Sequence, residues 1–301
     1  VKTKLFKNKQ AFGISGLLGL LLGFSSCDVI NPPEQIPAYI HVKDWVVVQN
    51  PGVPHGSVSG KITHANVFSD VEYMGIFTLP ATIPILQEGT KTITIDPMIL
   101  ENGQSFLVGF YPAYDRFTTE VELLPMQVDT IQPVTRYVAD VDFRFVEDFE
   151  SGNPIFSDDR DNDVETKLEP SSEEVFEGSR SGVIRLDKDH PYIEVATRPD
   201  FEFDLRGANS VYLELNYKTE VDVLFGLIGV DNVGLTFPSY EFGVPPKGEW
   251  TKVYFNLTEQ VILSDFQSYQ IGIAAGLPLE NGAFTVDEAV IYLDNIKLIT
   301  N

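Results

Sequence analysis

The sequence predicts an all-β protein built from two β-sandwich domains. From residue 38 onward, apolar and polar residues alternate with the period of two that is typical of extended strands. Gly, Pro and Asn separate these short runs, and no stretch of the body shows the apolar spacing of a helix. A chain of 301 residues is too long for one small core, so we expect two domains of ordinary size.

The composition is that of a folded, strongly acidic protein. Hydrophobic residues make up 43% of the chain and charged residues 22%, and the formal net charge is −23. Such a surface repels phosphate backbones, so we expect no nucleic-acid partner. Cys27 is the sole cysteine, which excludes an intrachain disulfide. The histidines (His41, His55, His64 and His190) lack ligand spacing, which argues against a zinc site.

Residues 1–26 have the anatomy of a secretory signal peptide. Four lysines precede residue 10, and the apolar run of about 14 residues that follows is shorter than the roughly 20 needed to span a bilayer. The run ends in FSSC, which resembles the lipobox of bacterial lipoproteins. That resemblance implies a covalent lipid on Cys27 and anchoring to the outer membrane, on a face that the sequence leaves open. The alternative is an ordinary signal peptide with an unrelated cysteine.

Residues 27–37 are expected to form a tether between the lipid and the folded body, because Pro32, Pro33 and Pro37 exclude a helix there. The first domain is expected at residues 38–140. Its middle, FTLPATIPIL, leads to an EG turn and an outer strand at residues 91–95, and it resembles Ig-like and PEGA-like β-sandwich modules. The segment YIHV after the tether is similar to uncharacterised lipoproteins of Bacteroidota. Both resemblances imply a non-catalytic module.

The second domain is expected at residues 145–301. The motifs DFESG, EGSRSG, GEWTKV and YLDNIKL follow one another in order along it. Together they resemble the jelly-roll sandwiches of the carbohydrate-binding-module and galactose-binding-like type. The resemblance covers the whole domain, so it implies the fold more strongly than any ligand.

The same resemblance implies a structural calcium ion. By position, its ligands are Glu150, Asp294 and backbone carbonyls near Gly178 and Ser181. Calcium prefers six to eight oxygen ligands, and a dication makes neighbouring carboxylates tolerable. The alternative is that Glu150 and Asp294 are strand-end acids that bond backbone amides.

The acidic segment at residues 158–165 fails the pattern of an EF-hand. Val164 stands where the loop needs glycine, and Pro170 stands where it needs a bidentate glutamate. We therefore expect a solvated acidic loop.

Aromatic and polar residues of the second domain suggest a ligand surface. The strands predicted at residues 211–217 and 251–257 each have a polar face that we expect to be open to solvent. A glycan site needs aromatic rings beside hydrogen-bonding side chains, although such aromatics also occur in cores and at protein contacts. The candidate ligand-binding residues are Trp250, Tyr254, Tyr240, Phe237 and Tyr212.

No nucleophile elbow, metalloprotease motif or phosphate-binding loop occurs in the body of the chain. We therefore expect no catalysis. The sequence favours a non-catalytic outer-membrane lipoprotein that binds a partner protein in a cell-envelope complex. The alternative is a glycan-binding lipoprotein, and a third class is a glycoside hydrolase with an unrecognised carboxylate pair.

Overall fold

The computed structural model describes residues 34–301. The predicted signal peptide, Cys27 and the start of the predicted tether lie outside the described residues, and residues 34–37 lead without regular structure into the first strand. Within the described part there are 23 strands, one short α-helix and one turn of 3-10 helix. The prediction of an all-β protein is therefore confirmed.

The first sandwich is formed by strands between residues 38 and 135. One sheet has the order β5-β1-β9, a second has the order β4-β3-β6-β7 with β8 also paired to β6, and β2 pairs with β10. The strands are β1 (Ala38–Val42), β2 (Val46–Val47), β3 (His64–Ser69), β4 (Glu72–Thr78), β5 (Ala81–Ile85), β6 (Gly89–Leu100), β7 (Val108–Phe110), β8 (Phe117–Leu123), β9 (Val128–Ile131) and β10 (Val134–Thr135).

Alternate residues of these strands build the core of the first sandwich. Ile40 of β1 and Ile93 and Ile95 of β6 are fully buried between the two sheets. Strand β6 pairs with β3 on one side and with β7 and β8 on the other. It is therefore an interior strand, and the prediction of an outer strand at residues 91–95 is wrong.

The second sandwich is a jelly roll formed by strands between residues 142 and 300. We call its six-stranded sheet, β13-β14-β23-β16-β19 with β11 paired to β23, the docked sheet, and its five-stranded sheet, β12-β15-β20-β17-β18, the free sheet. The elements are β11 (Asp142–Glu147), β12 (Phe156–Asp159), β13 (Glu169–Ser171), β14 (Ser181–Asp187), β15 (Tyr192–Thr197), a 3-10 turn (Pro199–Phe201), β16 (Val211–Thr219), β17 (Val223–Val230), β18 (Thr236–Val244), β19 (Lys247–Asn256), α1 (Thr258–Leu263), β20 (Ser268–Gly276), β21 (Leu279–Glu280), β22 (Ala283–Phe284) and β23 (Glu288–Thr300).

The first sandwich covers much of the outward side of the docked sheet. Every residue from Val211 to Tyr217 in β16 is buried, and so are Lys252 and Tyr254 of β19. The polar faces of these strands are therefore not open to solvent, and that prediction is wrong. One face packs on the jelly-roll core, and the other packs on the first sandwich.

The contact between the two sandwiches is rich in tyrosine. The ring of Tyr111 packs edge-on against Tyr212 with centroids 4.9 Å apart, and it lies 5.1 Å from the ring of Tyr254. Tyr114 and Tyr137 complete the cluster, and all five side chains are buried. Burial of large rings contributes strongly to the stability of such contacts. Between residues 34 and 301, no helix has both the length and the apolar character needed to cross a bilayer.

Candidate functional site

Two of the predicted ligand-binding residues, Tyr212 and Tyr254, lie in the contact between the sandwiches. Tyr212 is 4% exposed and Tyr254 is 1% exposed. The Tyr212 hydroxyl donates to Glu101 Oε1 at 2.6 Å, and the Tyr254 hydroxyl oxygen accepts from the backbone N–H of Lys61 at 2.9 Å. Both rings are closed to a glycan, because the first sandwich occupies the surface that they face.

The same contact encloses a cluster of charges, Glu214, Lys252 and Lys297. Lys297 Nζ lies 3.4 Å from Glu214 Oε1, and Lys252 Nζ lies 3.2 Å from Glu214 Oε2 as an ion pair without hydrogen-bond geometry. The first sandwich contributes Tyr137, whose hydroxyl donates to Glu214, and the carbonyl oxygen of Ser57, which accepts from Lys297 Nζ at 2.8 Å. The cluster therefore joins the two sandwiches.

The protonation of this cluster follows from its burial. Burial lowers the pKa of Lys297 to about 8, and the carboxylate of Glu214 opposes that shift. Burial would raise the pKa of Glu214, but the charges of Lys252 and Lys297 outweigh it and hold that pKa below its ordinary value. A buried carboxylate that pairs with two lysines of the second sandwich and accepts from a tyrosine of the first is suited to holding the sandwiches together.

Two further predicted residues, Trp250 and Phe237, lie in different places. Trp250 is on β19 of the docked sheet, where its Nε1–H donates to Glu174 Oε1 at 3.1 Å and its ring centroid lies 5.7 Å from that of Phe176. Phe237 is on β18 of the free sheet and stacks on Phe266 with centroids 5.3 Å apart. Phe237 lines a cavity at the edge of the sandwich. The structure therefore does not bring Trp250 and Phe237 into one site.

The fifth predicted residue, Tyr240, lies on the outer face of the free sheet. A Cβ on Gly272 would lie 2.9 Å from Cε1 of Tyr240 and 2.7 Å from its hydroxyl oxygen. The ring therefore lies directly against a floor of backbone at Gly272. On the neighbouring strand, Gly226 likewise leaves no room for a side chain, because its Cβ would lie 2.8 Å from Cα of Tyr240.

Tyr240 and Tyr192 converge on one carboxylate, Glu194 of β15. The Tyr240 hydroxyl donates to Glu194 Oε1 at 3.0 Å, and the Tyr192 hydroxyl donates to Oε2 at 3.3 Å. Burial, and after it the charge of Glu194, raises the pKa of both tyrosines. Both hydroxyls therefore stay protonated at neutral pH and remain donors. Tyr192 is 45% exposed and Tyr240 is partly exposed.

Arg160 connects the two edge strands of the free sheet across this face. It follows the edge strand β12, yet its Nη2 donates to Thr236 Oγ1 of the opposite edge strand β18 at 3.1 Å. Its Nη1 lies 3.4 Å from Asp158 Oδ2, and its Nε lies 3.5 Å from Glu194 Oε1. The backbone of β18 also lies over the outward side of β17, since a Cβ on Gly226 would lie 2.0 Å from the carbonyl oxygen of Ser239. We call the bonded side chains on this side of the free sheet, Tyr192, Glu194, Tyr240, Arg160 and Asp158, the tyrosine face.

Sequence reasoning missed Tyr192, Glu194 and Arg160. The signal for the first two was the alternation in β15, YIEVAT, where Ile193 and Val195 point to the core and the residues between them point outward. Arg160 carried no such signal, because it lies in the acidic segment after a short edge strand. Its role depends on contacts with residues that are distant in the chain, such as Glu194 and Thr236.

The predicted calcium ligands Glu150 and Asp294 bind opposite ends of one turn. Glu150 Oε1 accepts from the backbone N–H groups of Ser179 and Arg180, and Asp294 Oδ2 accepts from that of Glu177 at 3.2 Å. Burial raises the pKa of Asp294 to about 7, against the effect of these amide donors. The turn therefore directs N–H groups at both carboxylates.

The other two predicted calcium positions are engaged in the same turn. Gly178 has φ +78°, and a Cβ there would lie 2.3 Å from Glu150 Oε1, while Ser181 Oγ donates to the carbonyl oxygen of Glu174. No group of three or more His, Cys, Asp and Glu side chains placed to hold a metal occurs in the described part of the chain. The observed bonds correspond to the strand-end alternative, and calcium here stays a prediction.

The acidic segment is held by its own carboxylates. Asp161 Oδ1 accepts from the backbone N–H of Asp163 at 2.7 Å, and Asp163 Oδ2 lies 2.7 Å from His190 Nδ1. The hydrogen bond to Asp163 raises the pKa of His190. These bonds fix the loop beside β15, close to the tyrosine face, since Asp161 Oδ2 also accepts from the backbone N–H of Glu194.

No protein-family model matches the chain, and no curated protein matches it. Among solved structures, the CBM22-1 xylan-binding domain from Paenibacillus barcinonensis Xyn10C is 16% identical, with a TM-score of 0.36 over 53% of this chain and 94% of its own. A family 30 carbohydrate-binding module is 11% identical, with a TM-score of 0.38 over 52% of this chain and 99% of its own. A family 29 carbohydrate-binding module from Piromyces equi is 16% identical, with a TM-score of 0.34 over 54% of this chain and 92% of its own.

Proposed function

We propose that this protein is a non-catalytic glycan-binding protein that holds a sugar chain on the tyrosine face. The observation that supports the proposal is the ring of Tyr240 lying against the glycine floor, with Glu194 shared between its hydroxyl and that of Tyr192. This places flat aromatic surface and hydrogen-bonding groups side by side on the tyrosine face.

The chemical groups of a sugar match those of the tyrosine face. The faces of a pyranose ring carry C–H groups that pack against aromatic rings, and its edge carries hydroxyls that exchange hydrogen bonds with polar side chains. Glu194 and Asp158 are acceptors for these hydroxyls, whereas Arg160 is a donor. Tyr240 and Tyr192 supply the rings. Because these side chains already bond one another, they are held in place before a ligand binds, which lowers the entropy cost of binding.

The proposal includes no catalytic step. Each oxygen of Glu194 already receives a hydrogen bond from a tyrosine hydroxyl, so this carboxylate is held as a fixed acceptor. We also propose that Cys27 carries the predicted lipid and that residues 27–37 tether the sandwiches to the outer membrane. This proposal rests on the sequence of residues 1–37 alone.

The test is a glycan array followed by titration of the best ligand into the full chain and its variants. Tyr240→Ala is expected to weaken binding by at least about tenfold, which corresponds to about 1.4 kcal/mol. Glu194→Gln is expected to weaken it as well, because the amide keeps the shape of the side chain but removes the negative charge.

The matched control is Tyr73→Ala, which removes an exposed tyrosine of the first sandwich and should leave binding unchanged. Binding that survives Tyr240→Ala but is lost in Trp250→Ala would move the site to the docked sheet. An array without a single ligand, or turnover of any polysaccharide, would contradict the proposal.

A second candidate function, binding to a partner protein, is favoured by the edge strand β4. This strand pairs only with β3 among the described residues, and Val71, Tyr73 and Ile76 around it are 99%, 59% and 46% exposed. An unpaired edge with apolar side chains is a surface on which another strand can add. A photo-crosslinking amino acid at Val71 is expected to capture a partner in cells, whereas the same group at Glu249 is not. Equal capture at both positions would contradict this candidate.

A further inference from the structure

A cavity of about 750 Å³ lies at the edge of the second sandwich, apart from the tyrosine face. It opens where β18 of the free sheet and β19 of the docked sheet diverge, and α1 and a loop of the first sandwich line its sides. The side chains of β18 separate the two places. Tyr240 lies on the outer face, whereas Phe237, Ser239 and Glu241 line the cavity.

Aromatic rings form one wall of this edge cavity. Phe237 stacks on Phe266 at 25° between ring planes, and Phe237 is 46% exposed. Phe266 is seated on the backbone of β17, because a Cβ on Gly229 would lie 2.1 Å from its Cδ2. Phe242, which also lines the cavity, packs on the buried ring of Phe255. The wall is therefore fixed from behind and presents flat apolar surface to the cavity.

Polar groups also line the cavity. Glu241 Oε1 accepts from Ser239 Oγ at 2.9 Å and from Gln260 Nε2 at 3.1 Å. These donors are neutral, and Glu241 forms no ion pair within residues 34–301. Gln260 Oε1 is buried without a hydrogen-bond partner. Glu259 adds a second carboxylate, and no lysine, arginine or histidine lines the cavity.

The first sandwich holds the third side of the cavity in place. The backbone N–H of Asn102 donates to the carbonyl oxygen of Tyr254 at 2.7 Å, and Asn102 Oδ1 accepts from the backbone N–H of Asn256 at 2.9 Å. The loop that carries Asn102 and Gln104 is thus bonded to β19. The cavity is therefore shaped by both sandwiches.

We propose that this edge cavity binds an organic cation, an ammonium group on a flat apolar body. The exposed ring of Phe237, which Phe266 supports from behind, attracts a cation through its negative face and packs against the apolar body. Glu241 supplies a negative charge that no cation of the described residues compensates, and this charge pairs with the ammonium group. An anion is excluded, because two carboxylates line the cavity and the whole chain carries a charge of −23.

The test compares three probes of one shape: phenethylammonium, phenethyl alcohol and 3-phenylpropionate. Each is titrated into the full chain and followed by calorimetry and by NMR shifts of the residues that line the cavity. The ammonium is expected to bind at least about tenfold more tightly than the alcohol, and the carboxylate is expected not to bind. Glu241→Gln should reduce the affinity for the ammonium to that for the alcohol, whereas the control Glu249→Gln should leave it unchanged.

Phe237→Ala provides a second variant on a partly exposed side chain, and it should weaken both the ammonium and the alcohol. Melting curves of all variants establish that they are folded. Any of three results would overturn the proposal. These are equal affinity for the ammonium and the alcohol, unchanged affinity of Glu241→Gln for the ammonium, and no binding of the ammonium at about 10 mM. Loss of glycan binding in Tyr240→Ala is independent of this result, because Tyr240 lies on the other side of β18.

Discussion

Replacing Glu214 with alanine is expected to lower the free energy of unfolding by about 3–5 kcal/mol. The substitution leaves the ammonium groups of Lys252 and Lys297 buried between the sandwiches without their shared carboxylate. It also removes the acceptor of the Tyr137 hydroxyl, whose pKa is raised by burial and by the charge of Glu214. Urea denaturation followed by tyrosine and tryptophan fluorescence measures the change.

Glu249→Ala is the matched control, because Glu249 is an exposed glutamate on the same strand as Lys252. We expect it to change stability by no more than about 0.5 kcal/mol. A variant with Glu214→Leu, Lys252→Met and Lys297→Met should recover most of the loss, since replacing a whole buried ion cluster by apolar groups is often neutral. If Glu214→Ala lowered the free energy of unfolding by less than about 1 kcal/mol, water would have to reach the charges of the cluster.

Gly226→Ala is expected to weaken both the fold and glycan binding. A Cβ at this position would lie 2.0 Å from the carbonyl oxygen of Ser239, so the backbone of β18 must move away from β17. Overpacking of this kind costs about 2–3 kcal/mol. The displacement would also shift Tyr240, which follows Ser239 in β18, so we expect the affinity for the glycan to fall by at least about tenfold.

Gly248→Ala is the control for this variant, because nothing lies within 4 Å of the Cβ that it would add. Its melting temperature and glycan affinity should equal those of the parent chain. If Gly226→Ala had the melting temperature and the glycan affinity of the parent chain, the pairing of β17 with β18 would not be what positions Tyr240.

The strands could be predicted from the sequence because alternation along a strand is a local property. The runs at residues 91–95 and 211–217 are parts of β6 and β16, and the run at residues 251–257 lies in β19 except for Leu257. Alternation also identified which residues share a face, as it did for Tyr212 and Glu214. It could not indicate what covers that face, because the cover comes from residues 53–137, far away in the chain.

The candidate site was predictable only in part for the same reason. Tyr240 was identified from composition, but its partner Glu194 is 46 residues away. Trp250 and Phe237 carried the same compositional signal, yet one lies on the docked sheet and the other in the edge cavity. Composition indicates that rings are present, whereas the strand that carries each ring and the elements that pack on that strand decide what the ring contacts.

By itself, the sequence determined that the body is all-β, that it forms two sandwiches and that the surface is strongly acidic, since these follow from local alternation, chain length and charge. Only the tertiary structure decided which polar faces remain open. Packing of the first sandwich on the docked sheet buried Tyr212 and Tyr254 together with Glu214, because the burial of tyrosine rings and a shared carboxylate stabilises that contact. On the free sheet, the central strands β17 and β20 are buried almost throughout, and contacts such as that between Arg160 and Thr236 assembled the tyrosine face at the surface.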